Sequence, residues 1–562
     1  MIKKLCFDIF CMLCIMLFSC IHQPLSSQTA STSRQLFTRA VNISVWLEQS
    51  SVQHIQFRQY DKNDFAILKK MGVEAIRLPI KMRDMVDKNN NYALDPVLLG
   101  FIDEIVGWAE ELEMFLIIDN HSYHPVYPTL PEVEYILHPL WTQLAKRYKH
   151  CSDYIIFEVL NEPHGLAPDI ELDFKTWQEI QERVVKTIRA IDPNRYIIIG
   201  GSGYNSLDAM LKLPVYQDKK LIYTFHFYEP FVFTHQGANW GAPTLEGLAN
   251  VPFPPSAGTI PAVPKSLKGT WIEGAVAEYK TKGTPEFVKE QLDAAIAFAK
   301  ENDILVFCGE LGVYRPYSKN ADQNRWLELV TTHLEQGGIM WSLWDVFGRF
   351  GIFQQMDQTL GFSDLDPEKL NALRFKNPHI QNNVSFDIPQ TLVIYDDYAA
   401  KIASANVYVD RGSIAFYNTE EVYSGKYAIK ISGLKRYSSC MFNFSRMMNF
   451  AQYRDAGYGI SFWAKTKESN LQLQVRLRNP YGEIPWRMSY KIDNSHIPAD
   501  NKWHEVFIPF SSMEESGAWK DKWFDPKGKF DWRKIETLEF VSEFSDMLNL
   551  ELWIDEVKID KP

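Results

Sequence analysis

The chain has 562 residues, 46% hydrophobic and 14% aromatic, with 59 Lys and Arg against 70 Asp and Glu and a net charge of −11. That length exceeds one ordinary hydrophobic core and calls for two or more domains. The acidic balance argues against nucleic acid or an anionic membrane surface as the main partner and is compatible with a neutral polymer such as a polysaccharide.

The chain opens with Lys3 and Lys4, followed by the apolar LCFDIFCMLCIMLF, too short for a comfortable membrane span. It ends in Leu17-Phe18-Ser19-Cys20, which resembles a bacterial lipobox. The resemblance implies a lipoprotein signal at residues 1–20, a lipid on Cys20 and an anchor in the cell envelope, at the outer membrane. The plainer reading is a secretory signal with an incidental Cys, giving a secreted protein. Residues 21–35 are Ser/Thr-rich and read as a flexible linker. Of the seven Cys, four lie in the signal, and Cys151, Cys308 and Cys440 make no paired framework.

Over residues 36–375 short apolar runs alternate with longer amphipathic ones. The strand candidates are 41–46, 74–80, 115–121, 154–162, 196–201, 221–228, 304–310 and 338–345. Eight such β-α units predict an α/β fold, a (β/α)8 TIM barrel. Residues 229–284, rich in Pro, Gly and aromatics, form a long connection after strand six and read as a wall of a substrate cleft. Residues 376–389 read as a linker. Beyond it, 390–562 lose the helical period and alternate, as in GKYAIKIS and LELWIDEVKI, which predicts an all-β sandwich domain.

Barrel chemistry sits at the C-terminal strand ends. Those ends carry Arg77, His121, Asn161 with Glu162, His226 with Tyr228, Glu310 and Trp344. One strand-end Glu is ordinarily a salt-bridge partner, and a lone His is ordinarily structural; six strands contributing together point to a site. Two carboxylates ending strands four and seven suit glycoside hydrolysis, which in its retaining form needs them about 5–5.5 Å apart. Glu158, in the same IIFEVLNEP stretch, lies lower and is expected to be buried and paired with an Arg such as Arg77.

Asn161-Glu162-Pro163, the second Glu in GELGVY (309–314), IRLP (76–79), DNH (119–121), HFYEPFVFTHQGANW (226–240) and WSLWDVFGRFGIF (341–353) resemble glycoside hydrolase family 5 of the cellulase clan. The resemblance implies a retaining endo-β-1,4-glucanase, with β-mannanase or xyloglucanase activity as alternatives and a barrel that binds glycan without cleaving it as a rival. It implies Glu162 as acid/base and Glu310 as nucleophile. Asn161 would hold the sugar 2-hydroxyl, and Tyr228 and Arg77 would keep Glu310 ionised. His226 would tune Glu162, His121 would bind the sugar, and Trp344 would stack on the ring. Trp341 competes with Trp344 for that platform, and His124 and Trp240 are further cleft candidates. No cofactor or metal is implied.

The second domain resembles β-sandwich carbohydrate-binding modules. Tyr481, Trp486, Trp519 and Trp523 are its candidate stacking platform, while Trp503 and Trp553 read as core. A module of this kind would hold the enzyme near its polymer by effective concentration; the alternative is a purely structural domain.

Overall fold

In a computed structural model the described residues are 35–122, 130–164, 174–241, 243–354, 362, 364–378 and 391–562. Cys20, the export signal and His124 lie outside them, as does most of the expected linker. Among the described residues no helix is long and apolar enough to cross a membrane.

Eight parallel strands close a barrel: β1 Arg39–Asn42, β2 Ala75–Ile80, β3 Phe115–Asn120, β4 Ile155–Glu158, β5 Tyr196–Gly200, β6 Leu221–Phe227, β7 Leu305–Leu311 and β8 Met340–Leu343. Each strand pairs with its neighbours in sequence, and β8 returns to β1. The chain's local chemistry sets the helices between them. Asp61 opens α1 (Lys62–Met71) with a capping box to Asp64, and Gly72, at φ 94°, closes it. Asp95 and Pro96 open α2 (Pro96–Glu111) in the same spirit.

Strand alternation builds the barrel interior in layers. Ala40, Ala75, Ile117, Ile156, Ile198, Ile222, Leu305 and Met340 form a buried apolar plug. Two residues further along, Asn42, Arg77, Asp119, Glu158, Thr224 and Ser342 form a buried polar layer above it. The same parity decides between the two tryptophans. With Met340 and Ser342 inward, Trp341 points outward; it is fully buried, packs on Phe375 at 5.9 Å and donates from Nε1 to Glu335 at 3.1 Å. Trp341 is therefore a packing residue, and its candidacy for the sugar platform is withdrawn.

Three further expectations are corrected. β1 ends at Asn42, not at 46, because Val45 turns left-handed at φ 67° and the chain leaves the ladder. β4 ends at Glu158, so alternation does not carry to Glu162, which sits at φ 43° rather than in the extended geometry that Pro163 favours. The connection 229–284 is not wholly irregular: it holds short helical turns and the helix Trp271–Lys282.

Twelve strands make a sandwich with a hairpin attached. In chain order they are β9 Leu392–Tyr395, β10 Ala403–Tyr408, β11 Ser413–Asn418, β12 Ala428–Leu434, β13 Ser439–Met448, β14 Gly459–Thr466, β15 Gln472–Arg478, β16 Arg487–Asp493, β17 His504–Pro509, β18 Glu514–Glu515, the hairpin pair β19 Ala518–Lys520 and β20 Lys522–Phe524, β21 Ile535–Val541 and β22 Met547–Asp560. One sheet runs β11-β12-β22-β14-β17 with β9 on β22, the other β10-β13-β21-β15-β16-β18. Their inner faces share a core of Ile, Leu, Val and Phe. Trp553 is buried, whereas Trp503 is only partly so and packs edge-on to Tyr423 at 5.9 Å.

If Trp341 is a packing residue, Trp341→Ala should cost about 3–5 kcal/mol in urea unfolding. The folded fraction should keep the KM of the unmodified protein, since the indole faces away from the interior.

Candidate active site

Arg77 is the centre of the polar layer. It is fully buried, and its guanidinium meets Glu158 in a fork at 2.7 and 2.8 Å, Glu310 at 2.8 Å, Asn161 Oδ1 at 2.7 Å, Asn42 Oδ1 at 2.9 Å and Asp119 at 3.0 Å. Planar, permanently charged and rich in donors, arginine suits several carboxylates at once where lysine would not. Glu158 is thus a brace for Arg77, and Arg77 fixes the orientation of both Glu310 and Asn161.

Glu310 stands near the end of β7. Its second oxygen accepts from Tyr228 Oη at 2.9 Å. Glu162 follows β4 and reaches across to His226, whose Nδ1 lies 2.7 Å from Glu162 Oε1 and 3.6 Å from Glu310 Oε2. One ligating oxygen from each glutamate and one ring nitrogen of His226 all fall within 4.8 Å of one another. Gly309 is required beneath this group: a Cβ there would come within 2.8 Å of Thr224 Oγ1 and 3.2 Å of His226 Nε2. The left-handed backbone of Glu162 is held by Asn205. With its amide turned to satisfy both neighbours, Asn205 accepts from the Glu162 N–H at 3.2 Å and donates to the Gly201 carbonyl at 3.1 Å.

Burial, opposed by His121 and Arg77, lifts Glu162 to about 7. Burial also pushes Glu310 up, with His226 and Arg77 pulling it back. The shared proton belongs on Glu162, because Glu310 receives two hydrogen bonds, from Arg77 and Tyr228, that favour its ionised form. Burial lowers His226 to about 4, so it is neutral at pH 7. His121 is raised to about 9: burial pulls it down, but Glu48 and Asp119 outweigh that and keep it cationic.

His121, Trp344 and Asn161 form one wall. The His121 and Trp344 rings stack at 5.6 Å and 16°, Nδ1 of His121 meets Asp119 at 2.7 Å, and Nε2 lies 3.2 Å from Asn161 Nδ2 and 3.5 Å from Glu48. On the long connection, Trp240 is 45% exposed, edge-on to Tyr314 at 4.7 Å and beside Phe350 at 6.3 Å. Sequence reading missed Glu48, Asn205 and the stacked pair His164 and Tyr204, 3.7 Å apart next to Glu162. They lie in turns whose backbone geometry has no periodic signal. Tyr204 and Asn205, both at positive φ after Gly203, were the nearest to a readable turn cue.

Among the described residues Glu162, His226 and Glu310 are the one cluster of three metal-type ligands. Arg77 beside Glu310 already supplies the positive charge a cation would bring. In the sandwich Asp397 is spent on the amides of Lys426 and Tyr427, and Asp555 on those of Tyr423 and Ser424.

The candidate platform of the second domain divides. Trp519 and Trp523 face each other across the hairpin, 56% and 46% exposed, and Tyr481 is 56% exposed. Trp486 is partly buried against Phe524 at 6.3 Å, a weaker candidate for stacking. Arg487 lies 5.0 Å from the Trp523 ring and Arg478 5.8 Å from that of Tyr481. These rings flank a sheet face on which Arg476 and Arg478 both pair with the buried Glu539.

Residues 40–348, more than half of the chain, match the family model Cellulase (glycosyl hydrolase family 5). The chain belongs to that family. Residues 391–561 match carbohydrate binding domain 30. Endoglucanase C of Acetivibrio thermocellus is 28% identical over 54% of this chain and 91% of its own length. Endoglucanase 3 of Fibrobacter succinogenes is 26% identical over 58% of this chain and 52% of its own. Endoglucanase H of Acetivibrio thermocellus is 22% identical over 86% of this chain and 49% of its own. The protein is a glycoside hydrolase of the cellulase type with a polysaccharide substrate.

The alkaline limb of kcat/KM for this hydrolase should fall near pH 7, where Glu162 loses its proton. Because the cationic His121 lowers the Glu162 pKa, His121→Gln should move that limb to higher pH while reducing turnover. An unmoved limb in a folded variant would detach Glu162 from the titration.

Proposed function

We propose that the protein is a retaining endo-β-1,4-glucanase, with Glu310 as nucleophile and Glu162 as acid/base. The observation that carries this reading is the close approach of the two carboxylates, with oxygens inside 4.8 Å. An inverting enzyme needs about 6.5–9.5 Å between its carboxyl groups to admit a water, whereas a retaining one needs about 5–5.5 Å. Glu310, ionised and aimed by Arg77 and Tyr228, attacks the anomeric carbon. Glu162, protonated at the start, donates to the departing glycosidic oxygen. The covalent glycosyl-enzyme is then hydrolysed by a water whose proton returns to Glu162. Neutral His226 beside Glu162 leaves it free to gain and lose that proton without adding a charge.

In the same reading Asn161, oriented by Arg77, holds the 2-hydroxyl of the reacting sugar. Trp344 and His121 form its stacking wall, and Trp240 supports a more distant sugar. The names of the endoglucanase relatives support a glucan backbone. The exposed rings Tyr481, Trp519 and Trp523 support glycan binding by the second domain, since aromatic faces stack on pyranose rings. Lipidation of Cys20 would keep the protein on the cell envelope.

Glu310→Gly should abolish hydrolysis, and azide should restore turnover as a glycosyl azide of inverted configuration. Full activity in that variant would remove Glu310 from the mechanism. Glu162→Ala should lose about 10²–10⁴-fold on ordinary glucan and much less on aryl glycosides with good leaving groups; equal loss on both would deny it the acid role. Reducing-sugar release from barley β-glucan, carboxymethylcellulose, glucomannan, xyloglucan and xylan separates glucanase, mannanase and xyloglucanase. No release from any of them would favour a binding protein.

A further inference from the structure

The sandwich meets the barrel at Gln56, Phe57, Arg58, Asp61 and Asp64 and at Phe101 of α2, and the segment 43–61, which runs on from β1, also reaches the active site through Glu48. We propose that the β-sandwich buttresses this segment and so positions Glu48 against His121, which makes the second domain part of the catalytic architecture as well as a polymer tether.

The segment begins with an unfavourable turn. Val45 is β-branched, 65% exposed and held at φ 67°. A residue of that shape is a genuine outlier in the left-handed region and persists only where its surroundings over-determine it. The turn has a visible result. The Val45 N–H donates to the Glu48 carboxylate, and the other Glu48 oxygen lies 3.5 Å from His121 Nε2. The turn is held locally by the Trp46 N–H on the Ser44 carbonyl at 2.8 Å, by Gln49 Nε2 on the Val45 carbonyl at 2.6 Å and by the Ser44 hydroxyl on Asp345, and further support reaches it from the sandwich.

That support can be followed atom by atom. Trp46 is 1% exposed and donates from Nε1 to the Gln56 carbonyl at 2.9 Å. Its ring lies edge-on to Tyr60 at 4.9 Å and to Phe101 of α2 at 5.5 Å. The Gln56 side-chain amide donates to two carbonyls of the sandwich, Ala400 at 2.9 Å and Ala403. The Phe57 ring lies 4.8 Å from Tyr398 and 5.3 Å from Tyr417, both of the sandwich, and 4.7 Å from Phe101. Tyr398 is buried in this joint, and Lys401 pairs with Asp64, the capping-box residue of α1. On the other side Tyr60 packs on Phe347 at 4.9 Å, three residues past Trp344. A close-packed aromatic joint of this kind transmits displacement instead of absorbing it. The sandwich therefore holds Gln56 and Phe57, these hold Trp46 and Tyr60, and those in turn hold the turn bearing Glu48 and the strand end bearing Trp344.

A tether and a buttress differ in what they act on. A tether raises local polymer concentration and leaves short soluble substrates untouched. A buttress acts on every substrate, including those too short to reach the second domain. The inference rests on the hydrolase reading above, and turnover of a chromogenic β-cellobioside by the unmodified full-length protein tests that reading by itself.

With that activity in hand, Tyr398→Ala and Gln56→Ala are each made in the full-length chain and checked for native circular dichroism. Each should lower kcat/KM on the cellobioside by about fivefold or more, and Tyr398→Phe, which keeps the ring, should restore most of it. Combined with Glu48→Gln, Tyr398→Ala should give little further loss, because both act through the same carboxylate; general destabilisation would multiply in the double variant. If Tyr398→Ala does not fold, the Gln56→Ala pair with Glu48→Gln decides. Native-like variants with unchanged cellobioside turnover that lose only on insoluble glucan would overturn the proposal, as would losses that multiply.

Discussion

Everything at the mouth of this barrel depends on one buried guanidinium. Arg77 is fully buried, and burying an unpaired charge costs several kcal/mol. Glu158, Asp119 and Glu310 compensate it. The surplus negative charge this creates is offset in turn by cationic His121. Each of these groups is therefore constrained twice, once by folding and once by chemistry. Asn161 takes its orientation from the same guanidinium at 2.7 Å, so Asn161 and Glu310 are aligned by one rigid planar group.

The proposed division of labour between Glu162 and Glu310 follows from that arrangement. Glu310 is buried and Glu162 is partly exposed, and the burial of each pushes it up. The difference lies in their partners. Glu310 is bonded by a guanidinium and a phenol, while Glu162 faces a neutral imidazole. A proton shared between two nearby carboxylates settles on the one with fewer donors. In the proposed mechanism the acid is defined by what the barrel withholds from Glu162 as much as by what it supplies to Glu310.

Much of this was legible in the sequence, for a physical reason. Covered parallel strands are short apolar runs, and a polar residue at the end of such a run is conspicuous; His121, Glu162, His226 and Glu310 were visible on that ground, whereas Arg77 stands inside β2 and Trp344 is an aromatic just past β8. The expected pairing of Glu158 with Arg77 is present, although the alternation from Glu158 to Glu162 that suggested it does not run past the end of β4. The same alternation would have excluded Trp341 had it been applied to β8 from Met340. What stayed hidden was set by backbone turns instead of periodicity. Glu48 depends on Val45 adopting a conformation its side chain disfavours, and Glu162 itself leaves the strand in a left-handed turn held by Asn205. The joint between the domains has no signature in either sequence segment, since Phe57 and Tyr398 each look like ordinary surface-loop aromatics until they meet.

The central claim is that a carboxylate held by Arg77 and Tyr228 becomes covalently bonded to the sugar. Incubation with a 2-deoxy-2-fluoro-β-cellobioside bearing a good leaving group, followed by peptide mass spectrometry, tests it most directly. The account predicts time-dependent inactivation and one fluorosugar adduct, on the peptide containing Glu310 and mapped to that residue. Turnover without any adduct, or an adduct on Glu162, would contradict it.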